Sequence, residues 1–144
     1  MDESGGERAP VGARFEELAW RETPIGAISL RRRRDPALQV EVYEVKLDDE
    51  YLMSSLFPVA EIELARFGLA EVAGDSLDVV VGGLGLGYTA CAALGDPRVR
   101  SLFVVEAIED VIDWHQRGCC RSRRGWPRTP DPFRAGRLLR RGGR

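Results

Sequence analysis

A glycine-rich turn between an apolar run and an alanine-rich run constrains the fold of this chain more strongly than any other feature. The apolar run covers residues 77–81, the turn contains Gly83, Gly85 and Gly87, and the alanine-rich run covers residues 88–94. Glycine lets the backbone turn sharply and approach a ligand because it has no Cβ. The start of a helix offers unpaired N–H groups. This order predicts the strand, loop and helix start of a nucleotide-type site.

A second apolar strand and an acidic residue follow at the expected distance. Residues 102–105 are apolar and end at Glu106, which is 19 residues after Gly87. Two buried strands joined by a helix predict a parallel pair with a right-handed crossover. Glu106 is the candidate partner of both ribose hydroxyls, because a carboxylate only accepts hydrogen bonds. His115 lies on the apolar stripe of the next helix, which favours a packed histidine over a catalytic base.

Two nucleotide-binding patterns compete for the glycine loop. Gly83-x-Gly85-x-Gly87 fits the loop of class I S-adenosylmethionine-type folds, whereas Gly85-x-Gly87-x-x-Ala90 fits the dinucleotide pattern. In the second pattern the tight turn begins late, four residues after Val81. The first pattern is therefore favoured, and a purely structural turn is the third alternative.

Residues 1–118 divide into a lead-in, a β-region and an α/β unit that contains the glycine loop. Residues 1–13 are rich in glycine and charge, which predicts a disordered lead-in. Residues 14–55 are predicted to form a small antiparallel β-hairpin region, because apolar residues alternate from Ile25 onward between turn signals. Residues 56–118 are predicted to be the N-terminal half of a Rossmann-like cofactor-binding domain.

Two burial patterns are predicted within this α/β unit. Its first helix is expected over residues 56–70, with a buried face formed by Leu56, Ala60, Leu64 and Phe67. Residues 77–81 are nearly all apolar, so this strand is expected to be covered on both faces.

Composition restricts the class of protein. A chain of 144 residues with 44% hydrophobic and 31% charged residues is typical of one soluble globular domain. It contains no apolar run long enough to span a bilayer, and residues 1–10 do not resemble a signal peptide. We therefore expect a cytoplasmic protein without a membrane partner. Three cysteines without metal-ligand spacing predict neither a disulfide framework nor a metal site.

The last segment, residues 119–144, has a different composition. It holds nine arginines and one acidic residue, and its longest aliphatic run is Leu138-Leu139. We expect it to be disordered and to contain no buried strand. It is interpreted as a basic arm that binds nucleic acid through charge, as a linker, or as an out-of-frame translation entered near Gly118. The third interpretation is favoured because the α/β periodicity stops abruptly at Gly118.

Residues 78–115 resemble the cofactor half of the spermidine synthases, the polyamine aminopropyltransferases. That family has an apolar strand, a Gly-Gly-Gly-Asp-Gly-Gly-like loop and then Val-Val-Glu-Ile-Asp-Pro-x-Val-Ile-Asp. Residues 80–87 and 104–113 are similar to these two motifs. The strand-rich segment 25–55 is similar to the small N-terminal β-domain of the family, so the resemblance covers roughly residues 15–118.

The resemblance implies a fold, a ligand and a reaction. The fold would be an incomplete Rossmann-like, class I methyltransferase-like parallel sheet behind an antiparallel β-region. The ligand would be decarboxylated S-adenosylmethionine (or S-adenosylmethionine), without a metal. Its aminopropyl group would pass to a polyamine such as putrescine. Glu106 would hold the ribose, and Gly83, Gly85 and Gly87 would form the close-packed loop.

Departures from the family pattern leave alternatives open. The family's loop Asp is replaced by Gly85 or Leu86, and the Tyr-Asp-x-Ile-x-x-Asp stretch that carries its catalytic Asp has no counterpart. No catalytic residue is therefore assigned, and we expect a truncated, inactive form. The alternatives are an S-adenosylmethionine-dependent methyltransferase and a non-catalytic protein that binds nucleic acid through the basic tail. The amine acceptor and the oligomeric state stay open, a homo-oligomeric parent enzyme being one option.

Overall fold

The computed structural model describes residues 15–117, together with the backbone of a strand at residues 136–140. The predicted disordered lead-in at residues 1–13 lies outside this part of the chain. So do residues 118–135 and 141–144, which form most of the arginine-rich segment.

The N-terminal region is an antiparallel meander, as the alternation predicts. Its strands are β1 (Phe15–Thr23), β2 (Gly26–Arg34), β3 (Glu41–Leu47) and β4 (Glu50–Ser54). They lie side by side in chain order in a four-stranded sheet. The alternating apolar residues of β2 and β3 face the core, and Ile28, Leu30 and Val45 are almost fully buried.

A buried ion-pair cluster lies on the meander. Glu44 is only 4% exposed, and its two carboxylate oxygens accept hydrogen bonds from Arg31 Nε at 2.9 Å and Arg33 Nε at 2.8 Å. The alternation of β2 places these arginines on the same face of the strand. Part of the arginine run in β2 is thus neutralised within the sheet.

Helix α1 (Val59–Ala70) forms within the predicted segment but buries a different face. Leu64 and Phe67 are 67% and 69% exposed, while Ala65 and Leu69 are buried. The prediction that Ala60, Leu64 and Phe67 lie on the buried face is wrong, and Leu56 lies before the start of the helix. The helix has apolar residues on more than one side, so its spacing did not determine which side packs against the core.

The remaining elements form the predicted β-α-β-α unit. Strand β5 (Leu77–Gly82), helix α2 (Tyr88–Leu94), strand β6 (Val99–Glu106) and helix α3 (Glu109–Gln116) follow one another. Strands β5 and β6 are parallel, and α2 packs against both. The fold is therefore α/β, with an antiparallel region followed by a Rossmann-like parallel sheet, as predicted.

Two expectations about this sheet need correction. Val80 in β5 is 67% exposed, so the prediction that this strand is covered on both faces is wrong. Side chains alternate between the two faces of a strand, and among the described residues the face that holds Asp78, Val80 and Gly82 is exposed. A further strand, β7 (Gly136–Arg140), pairs in parallel with β6 and places Leu138 opposite Val104. Residues 136–140 of the segment expected to be disordered therefore form a strand. The short aliphatic pair among arginines gave too weak a signal for that strand.

The core joins the two sheets. Side chains from the meander, α1, the glycine loop, β6 and α3 pack into one apolar cluster. Within residues 15–117 and 136–140, no helix is both long and apolar enough to cross a bilayer.

Candidate functional site

The glycine loop connects β5 to α2 and needs glycine at three positions. Gly83, Gly85 and Gly87 have φ values of 87°, 49° and 87°. Positive φ is disfavoured for residues with a Cβ, so these glycines are required by the backbone path. The loop begins at Gly83, directly after β5, and ends at Gly87, the N-cap of α2.

The leucines that alternate with these glycines anchor the loop. Leu84 is 3% exposed and Leu86 is fully buried. The N–H of Gly87 donates to the carbonyl oxygen of Leu84 at 2.7 Å and closes the turn, while the N–H of Gly83 donates to Val105 of β6 at 2.8 Å. The alternating sequence therefore builds a loop whose glycines bend the backbone and whose leucines fix it to the core.

Glu106 lies beside this loop, as the sequence order predicts for the carboxyl ends of two parallel strands. Its Oε2 accepts a hydrogen bond from the N–H of Leu84 at 2.7 Å, and its Oε1 accepts one from the N–H of Ile108 at 2.9 Å. The residue is 8% exposed. An ionised carboxylate has about four lone-pair sites, so two backbone donors leave capacity for ligand hydroxyl protons. All the candidate binding residues taken from the sequence thus come together in one place.

The peptide between Gly85 and Leu86 is held at both ends by side chains that the sequence did not connect to the loop. Nε2 of His115 lies 2.7 Å from the carbonyl oxygen of Gly85. The N–H of Leu86 donates to the sulfur of Met53 in β4 at 2.9 Å. Both contacts join residues about 30 positions apart, so no local sequence pattern could have revealed them.

The meander is therefore part of the site's frame. A Cβ on Gly85 would lie 2.8 Å from the Met53 sulfur, so this side chain would have to shift to admit any other residue. A second link joins Arg21 Nε of β1 to Asp110 of α3 at 3.1 Å. Together these contacts join the N-terminal sheet to both the loop and the last helix.

Taken together, the parallel β5-α2-β6 unit, the glycine turn and the acid at the end of β6 define a Rossmann-like α/β fold of the class I methyltransferase type. Spermidine synthase from Thermotoga maritima shares it, with a TM-score of 0.62 and 15% identity. A spermidine synthase in complex with the transition-state analogue AdoDATO also shares it, with a TM-score of 0.60 and 15% identity. At this identity the likeness establishes the fold.

The matches cover unequal shares of the chains. They span 88% and 85% of this chain but only 41% and 39% of the two solved structures. No protein-family model matches the sequence, and no curated protein matches it. Among the described residues, no group of three or more histidine, cysteine or acidic side chains is arranged to hold a metal ion.

Proposed function

We propose that this chain binds decarboxylated S-adenosylmethionine between the glycine loop and Glu106, as the cofactor-binding part of an aminopropyltransferase. The observation that carries the proposal is the position of the Glu106 carboxylate beside three glycines of positive φ, at the carboxyl ends of β5 and β6. In open α/β sheets, ligands bind outside the carboxyl ends of the strands.

Each part of the site would have a distinct role in binding. Glu106 accepts the ribose hydroxyl protons, because its oxygens are acceptors only and keep unused lone pairs. The loop glycines allow the nucleoside to approach the backbone closely.

The reaction proposed for the whole enzyme is an alkyl transfer to a polyamine such as putrescine. The amine nitrogen attacks the carbon beside the sulfonium in line, a C–N bond forms, the C–S bond breaks, and the amine releases a proton. An enzyme accelerates such a reaction mainly by holding the two reactants in line. The proposal for this chain covers the binding half, because no residue is assigned as the acceptor of that proton.

Isothermal titration calorimetry of the full 144-residue chain tests the proposal with three ligands: decarboxylated S-adenosylmethionine, S-adenosylmethionine and NAD. The proposal predicts that the decarboxylated compound binds most tightly. Tighter binding of S-adenosylmethionine would support the methyltransferase alternative, and tighter binding of NAD would support the dinucleotide pattern. Binding of none of them would overturn the proposal.

A matched pair of variants tests whether the measured binding depends on Glu106. Glu106→Gln removes the carboxylate that is proposed to hold the ribose, and should weaken binding at least tenfold, the effect of one charge-assisted hydrogen bond. Glu71→Gln makes the same chemical change at an exposed position just after α1 and should leave the affinity unchanged. Equal affinities for the two variants would contradict the assignment of Glu106.

A further inference from the structure

The Gly85–Leu86 peptide is the part of the loop on which two side chains converge. His115 contacts its carbonyl oxygen, and Met53 contacts its N–H. Because a carbonyl oxygen only accepts hydrogen bonds, the contact at 2.7 Å requires a hydrogen on Nε2 of His115. The imidazole of His115 therefore donates to one end of this peptide unit, and the sulfur of Met53 accepts from its other end.

This arrangement opposes rotation of the peptide. Turning this peptide over changes ψ of Gly85 and φ of Leu86. Glycine tolerates a wide range of ψ, so the two side-chain contacts add to the resistance that the Cβ of Leu86 offers. After a half-turn the peptide N–H would face the imidazole N–H and the carbonyl oxygen would face the thioether sulfur. With the hydrogen on Nε2, both contacts would be repulsive, since donor would meet donor and acceptor would meet acceptor.

The surroundings of His115 suit a fixed orientation. The residue is 6% exposed and lies in the last turn of α3, and its neighbours Ile112 and Trp114 are buried. The helix thus presents the imidazole to the loop from a packed position. A buried hydrogen bond of this kind is costly to break, because the unpaired group stays away from water.

We propose that His115 is a positioning residue, which together with Met53 locks the Gly85–Leu86 peptide in the orientation that the ligand site needs. The effect of this lock on ligand affinity rests on the proposed function, whereas the lock itself rests on the two contacts with the peptide. His115 acts here as a donor through Nε2, so that nitrogen is not available as a general base.

The tautomer of His115 in the unaltered full chain tests the lock without any substitution. His115 is the only histidine in the sequence, so its imidazole signals in a long-range ¹H–¹⁵N NMR spectrum are unambiguous. At neutral pH the proposal predicts a hydrogen on Nε2, with a contact to the Hα protons of Gly85. A neutral ring with its hydrogen on Nδ1 alone would overturn the proposal.

Two substitutions then connect the lock to binding. His115→Gln keeps an N–H donor near the position of Nε2, and His115→Leu removes it. For the leucine variant we expect about tenfold faster hydrogen exchange at the Leu86 amide and about tenfold weaker binding of decarboxylated S-adenosylmethionine, the effect of one hydrogen bond. The glutamine variant should remain close to the unaltered chain in both measurements.

The outcomes separate the two proposals. If no nucleoside binds to any form of the chain, the proposed function fails, while the tautomer and the amide exchange still decide the lock. If the leucine variant does not fold, the tautomer in the unaltered chain and the exchange rate in the glutamine variant decide whether the lock exists. Equal exchange and equal affinity in folded leucine and glutamine variants would overturn the positioning role.

Discussion

Glu106 ends strand β6, and its carboxylate accepts the N–H of Leu84 in the loop that follows strand β5, at 2.7 Å. One side chain thus ties the ends of two neighbouring parallel strands together. The same carboxylate accepts the N–H of Ile108 just before α3. The residue expected to face a ligand therefore also organises the loop and the start of the last helix.

Glu106→Gln should lower the free energy of unfolding by about 2 kcal/mol, because one of the two backbone N–H groups would face an amide NH₂ instead of an oxygen. Urea unfolding followed by circular dichroism measures the change. Glu71→Gln, at an exposed position, should stay within about 0.5 kcal/mol of the unaltered chain. A Glu106→Gln variant as stable as that control would show that the two hydrogen bonds do not hold the loop.

Gly83→Ala and Gly82→Ala compare two adjacent glycines that differ in backbone conformation. A Cβ would have nothing within 4 Å at either position, but only Gly83 has a positive φ, of 87°. Alanine at residue 83 should therefore cost about 1–2 kcal/mol from the backbone alone, while alanine at residue 82 should be nearly neutral. Thermal unfolding of both variants gives the difference. Equal stability would contradict the backbone path assigned to the loop.

Leu69→Ala and Leu64→Ala test which face of α1 is buried. Leu69 is 8% exposed, so its truncation should lower the free energy of unfolding by about 2 kcal/mol or more. Leu64 is 67% exposed, and its truncation should cost less than about 0.5 kcal/mol. The reverse order in chemical unfolding would restore the face that the sequence spacing predicts.

Asp96 should contribute a pH-dependent part of the stability. Hydrogen bonds from the Arg98 side chain, and then from its backbone N–H, lower the pKa of Asp96 below its usual value. Since the folded-state pKa is lowered, the stabilisation is present above about pH 4 and is lost as the pH falls through the folded-state value. The same guanidinium donates to the carbonyl oxygens of Leu69 and Val72 at 2.9 Å, so the pair also supports the end of α1.

Urea unfolding between pH 7 and pH 2 measures this contribution. Asp96→Asn should be less stable than the unaltered chain at pH 7, and the difference should shrink toward pH 2. Asp75→Asn, at an exposed carboxylate just before β5, is the matched control and should run parallel to the unaltered chain. A constant difference between Asp96→Asn and the unaltered chain across this range would contradict the role of the ionised pair.

The sequence predicted those features that depend on local order. The apolar run, the Gly-Leu-Gly-Leu-Gly alternation and the alanine-rich run predicted a strand, a tight turn and a helix start in that order. The interval from Gly87 to Glu106 placed the acid at the end of the next strand. Alternation in β2 and β3 likewise predicted the antiparallel region. These signals are local because each depends on backbone preferences within a few residues.

Other features depend on packing between distant residues and could not be predicted in this way. The apolar residues on several sides of α1 left its buried face ambiguous, and the exposure of Val80 depends on which elements flank β5. Strand β7 has only two adjacent leucines between arginines, and this apolar pattern is too short to predict a strand. The contacts of His115 and Met53 with the loop join separate elements, so they became visible only in three dimensions.

An NMR titration of the ¹⁵N-labelled full chain with decarboxylated S-adenosylmethionine shows where the ligand binds. Binding between the glycine loop and Glu106 should give saturable shifts concentrated at the amides of residues 83–87 and 106–108, with smaller shifts at the start of α2. Glu106→Gln should weaken these shifts, and Glu71→Gln should not. An absence of shifts at saturating ligand, or shifts confined to residues far from the glycine loop, would contradict the assignment of the site.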